Sequence, residues 1–411
     1  MKVLCLFANE FPYGTLEPYL ETEVNYYNLF DKVCIFSLQL RKDHAKTIRF
    51  VPTNAEVIPV FYASRSVYFL YSAVALFDIN FYKDLLKIFS SWKNILSKLI
   101  TLFVFVSRSH YEYNKVKRHF KKNEENEYVL YSYRFEYQPY VAVLLKKLLK
   151  NKITIVSRAH GYDLYENRHP NNYIPLRETI LKYVDNVYPC SEYGTQYLKH
   201  LYPLYNEKIA ARFLGTKDYG LSNYSARNKR EVFKIVSCSN VIPIKRLDLI
   251  VQALSHIQEY RIIWTHYGDG YLLDSIKQMS KQLLPKNITA EFMGNVDNEE
   301  LMNSYLRNEY HIFINVSSTE GIPVSIMEAN SFGIPCLATN VGGTPELIVS
   351  GKNGELLNAG VDPISLSKEI TRFYEMPDEE YMQYRKESRK MWNYKFNAEQ
   401  NYQEFVQELV K

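Results

Sequence analysis

At 411 residues and 46% hydrophobic content, the chain is long enough for two ordinary domains with substantial cores. Its five cysteines, at 5, 34, 190, 238 and 336, are odd in number and show no paired spacing. That excludes the usual zinc and redox motifs and fits a reducing cytoplasm. The net charge is a modest +5, no nucleic-acid recognition module is visible, and no apolar run approaches the ~20 residues of a spanning helix. The longest, Val67 to Phe77, stops at Asp78, and the N-terminal apolar run is too short for a secretory signal.

In chain order, short apolar runs suited to buried strands alternate with longer amphipathic segments, the pattern of parallel sheets with helices on both faces. The first series is Val3 to Ala8, Lys32 to Leu38, Glu56 to Phe61, Tyr128 to Tyr131, Ile153 to Ser157 and Val187 to Pro189. The second is Phe233 to Cys238, Ile262 to His266, Thr289 to Met293, Ile312 to Val316 and Cys336 to Thr339. Two doubly wound α/β domains are expected, divided near residues 203–231, where Pro203 and the polar run Lys217 to Arg230 interrupt the alternation. In open sheets of this kind the ligand crevice lies at the carboxyl ends of the strands, so the loops that follow strands hold the candidate residues.

The first such loop, Asn9-Glu-Phe-Pro-Tyr-Gly14, offers a glycine whose backbone could approach a phosphate, or an ordinary strand-to-helix turn. Glu17 and Glu21 beyond it are expected on one helix face, solvated or meeting an acceptor hydroxyl. Between the third and fourth strands comes a long helical insertion. From 83 to 122 it carries ten Lys or Arg (83, 87, 93, 98, 108, 115, 117, 118, 121 and 122) against two acids, Asp84 and Glu112. These are interleaved with Phe81, Tyr82, Phe89, Trp92, Phe103, Phe105, Tyr111 and Tyr113. Such a segment suits an anionic membrane surface, or aromatics facing the core with lysines reaching water. His160 stands just beyond the fifth strand, with Arg158 and Asp163 nearby as a potential pair. In the second domain, Cys238-Ser-Asn-Val-Ile-Pro-Ile-Lys-Arg246 runs from strand into helix, and Lys245 and Arg246 could neutralise a departing diphosphate.

The most informative stretch is Ser318-Thr-Glu-Gly-Ile-Pro-Val-Ser-Ile-Met-Glu328. Pro323 suits the first position of a helix. Glu320 then precedes that helix and Glu328 lies within it, roughly 8 to 12 Å apart along the axis with free amides between them. The plainer reading is a cap and a solvated residue. The sharper one is a ligand with an anionic middle and hydroxyls at both ends, such as a nucleotide-diphosphate sugar.

Residues 311–358, which run on through Phe332-Gly-Ile-Pro and Val341-Gly-Gly-Thr-Pro-Glu346, together with 153–163, resemble the retaining glycosyltransferases of family 4, of the GT-B fold. The resemblance covers nearly all the chain. It implies that Glu320 contacts the donor sugar, that Gly321, Ile322, Pro323 and Val324 present backbone to sugar and phosphate, and that Glu328 binds the ribose diol. It further implies donor contacts for His160 and Gly14, a nucleotide base beside Asn295, and two Rossmann-like domains, 1–205 and 206–380. Helices at 381–411 are expected to cross back to the first domain. The family usually has an arginine five or six positions before the lysine. Here those places hold Asn240 and Ser239, which leaves Arg246 to supply the second charge.

No Asp-X-Asp motif is present to hold a metal and no cofactor is implied. The expected activity is metal-independent retaining transfer of a hexosyl or N-acetylhexosaminyl group to a hydroxyl of a growing surface glycan, lipid-linked or free. The expected location is the cytoplasm or the inner face of the cell membrane. The alternative is a non-catalytic partner subunit that binds glycan or a sister enzyme.

Overall fold

The computed structural model describes residues 1–91, 93–120, 125–149, 152–222, 224 and 232–411. Trp92, Lys121 and Lys122 of the basic segment, and 225–230 of the polar run, lie outside the described residues. The chain forms two compact units, 1–214 with 400–411, and 215–399.

The first unit is built on six parallel strands, β1 (Lys2–Ala8), β2 (Lys32–Leu40), β3 (Ala55–Phe61), β4 (Glu127–Ser132), β5 (Ile153–Ala159) and β6 (Asn186–Pro189), in the order β3-β2-β1-β4-β5-β6. Its helices are α1 (Leu20–Glu23), α2 (Arg65–Ala75), α3 (Ile79–Ser91), α4 (Ile95–Val116), α5 (Gln138–Leu148), α6 (Arg177–Tyr183) and α7 (Glu192–Leu201). Successive side chains of a strand point to opposite faces. Val3, Cys5 and Phe7 of β1 therefore join one core and Leu4, Leu6 and Ala8 the other. Burial on both faces is why the central strands read as unbroken apolar runs.

The second unit repeats the plan with β7 (Phe233–Cys238), β8 (Ile262–Tyr267), β9 (Ile288–Gly294), β10 (Ile312–Asn315), β11 (Cys336–Thr339) and β12 (Gly354–Leu357), ordered β12-β11-β10-β7-β8-β9. Helices α8 (Leu247–Ser255), α9 (Leu273–Leu283), α10 (Asn298–Arg307), α11 (Val324–Ser331), α12 (Pro363–Glu375) and α13 (Asp378–Lys395) flank it, and α14 (Ala398–Val410) ends the chain. Every expected strand forms, within two residues at each end. β12 was not expected: it is a four-residue edge strand, and its Gly354 packs so closely on β11 that a Cβ would lie 2.0 Å from the Cys336 carbonyl.

The boundaries depart from expectation. The first unit runs to Leu214, not 205, because Ile209 bridges to Val187 and the Ala210 and Arg212 amides donate to the Val187 and Pro189 carbonyls, which continues the edge beyond β6. At the other end α13 stays with the second unit. The Tyr381 hydroxyl donates to the His311 carbonyl at 2.7 Å, and Arg385 and Ser388 bond to Ser222 and Asn353. Only 400–411 joins the first unit, with Phe405, Val406 and Leu409 in its core.

That core encloses an ion pair. Arg158 and Glu23 are fully buried with Nε and Oε2 3.4 Å apart, and the guanidinium lies 4.3 Å from the Phe405 ring. Arg158 thus pairs across the sheet and not with Asp163. Glu23→Ala, which strands the cation, is expected to cost about 3–5 kcal/mol in urea unfolding followed by circular dichroism. The double variant Glu23→Ala/Arg158→Met is expected to recover most of that loss.

Candidate functional site

In the second sheet the order reverses between β7 and β10, the position where open α/β sheets hold their ligands. Past β7 the chain makes a single turn, Pro243–Lys245, and enters α8. Past β10 it makes the loop 316–323 and enters α11. The Ser318 amide donates to the Ile244 carbonyl at 2.8 Å and ties the two loops together. This brings Lys245 onto Glu320, with Nζ donating to Oε1 at 2.6 Å; Asn315 Nδ2 donates to the same oxygen at 3.2 Å. An ammonium has three donors, so Glu320 leaves Lys245 two for another partner.

Pro323 does not occupy the first helical position. It is the N-cap, with φ −77° and ψ 104°, and its side chain caps nothing. The N–H groups of Gly321, Ile322, Val324 and Ser325 donate to no other described residue, so the start of α11 keeps an open set of amides at its positive end. The loop is pressed into place from behind by the turn at Val341-Gly-Gly. Gly342 has φ +54°, and a Cβ there would lie 2.0 Å from the Glu320 carbonyl, so no larger residue fits without moving Glu320.

Glu328 is buried one turn into α11 and accepts from Asn298 Nδ2, at the start of α10, at 2.8 Å. Burial pushes its carboxyl up to about 7, with the Asn298 hydrogen bond acting weakly the other way. Glu320 and Glu328 are therefore unlike: the first is paired with a cation and the second is a half-neutral acid near pH 7.

Two expected donor residues are placed differently. Arg246 takes φ +50°, and its guanidinium donates to the carbonyls of Val316 at 2.6 Å and Ala359 at 2.9 Å. It braces the loop behind Glu320 and is no free second charge, because a side chain at this helix start turns back over the strand ends. Asn295 is exposed just after the edge strand β9, three residues before Asn298, which is the residue of this segment that bonds to Glu328. The Gly268 and Gly270 loop is shaped by packing, since Cβ atoms there would lie 2.0 Å from the Ser239 carbonyl and 2.4 Å from that of Val241.

In the first unit the order reverses between β1 and β4. Here the loop amides already hold an anion. Glu17, at φ +60° and outside the helix, accepts from the amides of Asn9, Glu10 and Phe11 at 2.9 to 3.2 Å. Gly14 takes a φ of +59° and leaves room beside the His44–Glu10 pair, where a Cβ would lie 2.9 Å from Glu10 Oε2. Glu21 pairs with Arg49 at 2.8 Å.

His160, after β5, is held by its own loop: its amide donates to Asp163 Oδ1 at 2.9 Å and its ring lies 4.6 Å from that of Tyr133. Both ring nitrogens are buried and without a hydrogen-bond partner among the described residues, with Nδ1 3.5 Å from Asp163 Oδ2. Burial pushes the Asp163 carboxyl up, but His160, Arg134 and the Phe135 amide outweigh it and hold the group below the usual carboxylate range. Sequence reading missed Asn298, Asn315 and Arg134, three polar residues at or beyond strand ends with no motif to mark them.

Residues 224–391 match the family model described as glycosyl transferases group 1. A putative colanic acid biosynthesis glycosyltransferase WcaL of Escherichia coli K12 is 23% identical over 61% of this chain and 62% of its own length. The O-antigen biosynthesis glycosyltransferase WbnH of Escherichia coli is 30% identical over 39% of this chain and 46% of its own. The chain thus spans between about half and three-fifths of the length of these relatives. Among solved structures, the lipopolysaccharide outer core galactosyltransferase WaaB has a TM-score of 0.68 at 14% identity, covering 100% of this chain and 99% of that one. Anabaena Alr3699/HepE in complex with UDP and glucose has a TM-score of 0.65 at 15% identity, covering all of both chains. The two parallel six-stranded sheets with flanking helices are those of the GT-B fold.

The ionisation of Glu328 yields a stability test. Its folded pKa lies above the ordinary 4.5, so the fold favours the neutral acid. Its contribution is fully present below 4.5 and is lost as pH rises through about 7. The gap corresponds to about 3 kcal/mol. Glu328→Gln, which is neutral at every pH and can still accept from Asn298, is expected to melt on the order of 5 °C above the wild type at pH 8 and near it at pH 4.5. Parallel thermal melts at the two pH values check this.

Proposed function

We propose, taking 224–391 as a glycosyl transferases group 1 domain, that the chain is a metal-independent retaining glycosyltransferase. It moves a hexosyl or N-acetylhexosaminyl group from a nucleotide-diphosphate sugar to a hydroxyl of a growing, lipid-linked surface glycan. The observation that carries this reading is Lys245 held on Glu320 beside four unbonded amides, at the strand-order reversal of the second sheet. A diphosphate is bound by the amides, the positive helix end and the two remaining Lys245 donors. Glu320 accepts from the sugar hydroxyls and Glu328 from the ribose diol. The names of the relatives, which act in colanic acid and O-antigen biosynthesis, support a surface glycan as product.

In the reaction the bond from the anomeric carbon to phosphate breaks and its electrons pass to the diphosphate. The growing negative charge is met by Lys245 and the α11 amides, which are already oriented and need no rearrangement. The acceptor oxygen bonds to the same carbon from the same face, and its proton goes to the departing phosphate oxygen. His160, with Nδ1 3.5 Å from Asp163 Oδ2, is assigned the donor-sugar contact that the family resemblance implies. Because diol hydroxyls donate more strongly to a carboxylate than to the carbonyl of a neutral acid, donor affinity is expected to rise with pH through about 7, in step with Glu328.

A thermal-shift screen against nucleotide-diphosphate sugars identifies the donor, since a ligand of the folded state raises its apparent stability. With that donor, Glu320→Gln and Lys245→Ala are each expected to lower radiolabelled sugar transfer about 100-fold or more. Lys245→Ala is also expected to weaken nucleoside diphosphate binding. A wild type that transfers sugar from no donor would leave the chain as a binding subunit, and variants as active as an active wild type would remove Glu320 and Lys245 from the reaction.

The insertion of the first unit supports association with an anionic membrane. Leu86, Phe89, Leu96 and Ile100 are exposed alongside Lys83 and Lys93, whereas Phe81 is buried and Phe103, Phe105, Tyr111 and Tyr113 pack on the core. The aromatic residues thus divide between the two roles, with Tyr82 and Phe89 on the outside. Among the described residues no helix is long and apolar enough to cross a membrane.

A further inference from the structure

A cavity of about 540 Å³ opens between α2 and α4, lined by Tyr62, Tyr68, Ile100, Phe103, Val104 and Arg108. Along α4, Leu96, Ile100, Val104 and Arg108 recur every fourth residue, which aligns them on one helix face over ~18 Å. The three apolar members are 73%, 57% and 47% exposed, so the stripe begins open to the surroundings and ends on a cation. That cation is enclosed. The Arg108 guanidinium carbon lies 5.6, 5.5 and 5.0 Å from the ring centres of Tyr62, Tyr68 and Tyr137, and its Nε is buried without a hydrogen-bond partner among the described residues.

The nearest acid along the helix, Glu112, is one turn on and wholly buried. Burial drives its carboxyl well above the usual range, and Arg108, which also acts on Glu136, works the other way. Tyr62 directly follows β3 and Tyr137 precedes α5 in the loop after β4. The cationic end of the stripe therefore sits at the carboxyl end of the first sheet, where a ligand crevice is expected.

We infer that this cavity seats a lipid phosphate, with a single extended hydrocarbon chain along Leu96, Ile100 and Val104 and its phosphate on Arg108. Charge complementarity selects the occupant. A neutral apolar partner would leave the Arg108 Nε buried without a hydrogen-bond partner, and a phosphate without a chain would leave the apolar walls wet. The inference rests on the reading of the chain as a transferase with a lipid-linked acceptor, and it gives that acceptor a place.

Farnesyl phosphate, farnesol and inorganic phosphate, titrated into the full chain below the micellar range and followed by calorimetry, test it separately from donor binding. Farnesyl phosphate is expected to bind about tenfold or more tightly than farnesol, and inorganic phosphate not measurably. Val104→Glu, at an exposed position, is expected to abolish farnesyl phosphate binding. Arg108→Met is expected to bring farnesyl phosphate down to the level of farnesol and to leave farnesol itself unchanged, which also shows that the variant is folded.

Equal affinity for the two lipids, or unchanged farnesyl phosphate binding in either variant, would overturn the site. So would failure to take up farnesyl phosphate together with vesicle binding that survives Val104→Glu, since the patch would then be a bilayer contact alone. Nucleoside diphosphate binding, measured on the same samples, is expected to be unaffected by both substitutions. Its absence from the wild type would end the transferase reading and leave the lipid site standing.

Discussion

A strand buried on both faces leaves little room for polar chemistry along its length, and such strands form the centre of both parallel sheets of this protein. Polar function is pushed to the strand ends, and within those ends to the point where the strand order reverses and two loops part. Lys245 and Glu320 meet at that point because one follows β7 and the other β10. Their contact joins the two loops, positions the start of α11 and keeps its amides facing outward. Gly342, Arg246 and Asn315 all serve this arrangement from outside it: one by having no side chain, one by bracing carbonyls, one by steadying the carboxylate.

The strand framework was legible because apolar runs of four to seven residues between turn signals have few other uses. Edge β12 escaped notice for the complementary reason: Gly-Glu-Leu-Leu is short and half exposed, and only its pairing with β11 makes it a strand. The pair Glu320 and Glu328 was legible from spacing, since a helix start fixes what lies on either side of it. What spacing did not carry was direction. Arg246 and Asn295 stand where a phosphate or base contact was expected, yet one turns back to carbonyls and the other sits at a sheet edge. The unit boundaries shifted for a similar reason: the chain after β6 and helix α13 take their allegiance from long-range hydrogen bonds that composition does not record.

The insertion between β3 and β4 shows a different limit. Its charge excess and aromatic content were plain, but sequence alone left the aromatics with two opposite roles. The fold assigns some to each, and what remains outside is a stripe of aliphatic residues on α4, less conspicuous in the sequence than the aromatics.

The two sheets share one topology, and topology alone would give each of them an anion site. They are told apart by a single side chain. Glu17 folds back onto three amides of the β1 loop and so fills the strand-order reversal of the first sheet, whereas at the reversal of the second the amides at the start of α11 bond to no other described residue. The first unit is in this sense born already liganded, and a phosphate arriving there meets a filled seat and a like charge. Two units of one topology thus treat an anion in opposite ways: one has amides open to it, and the other has supplied its own from within the loop.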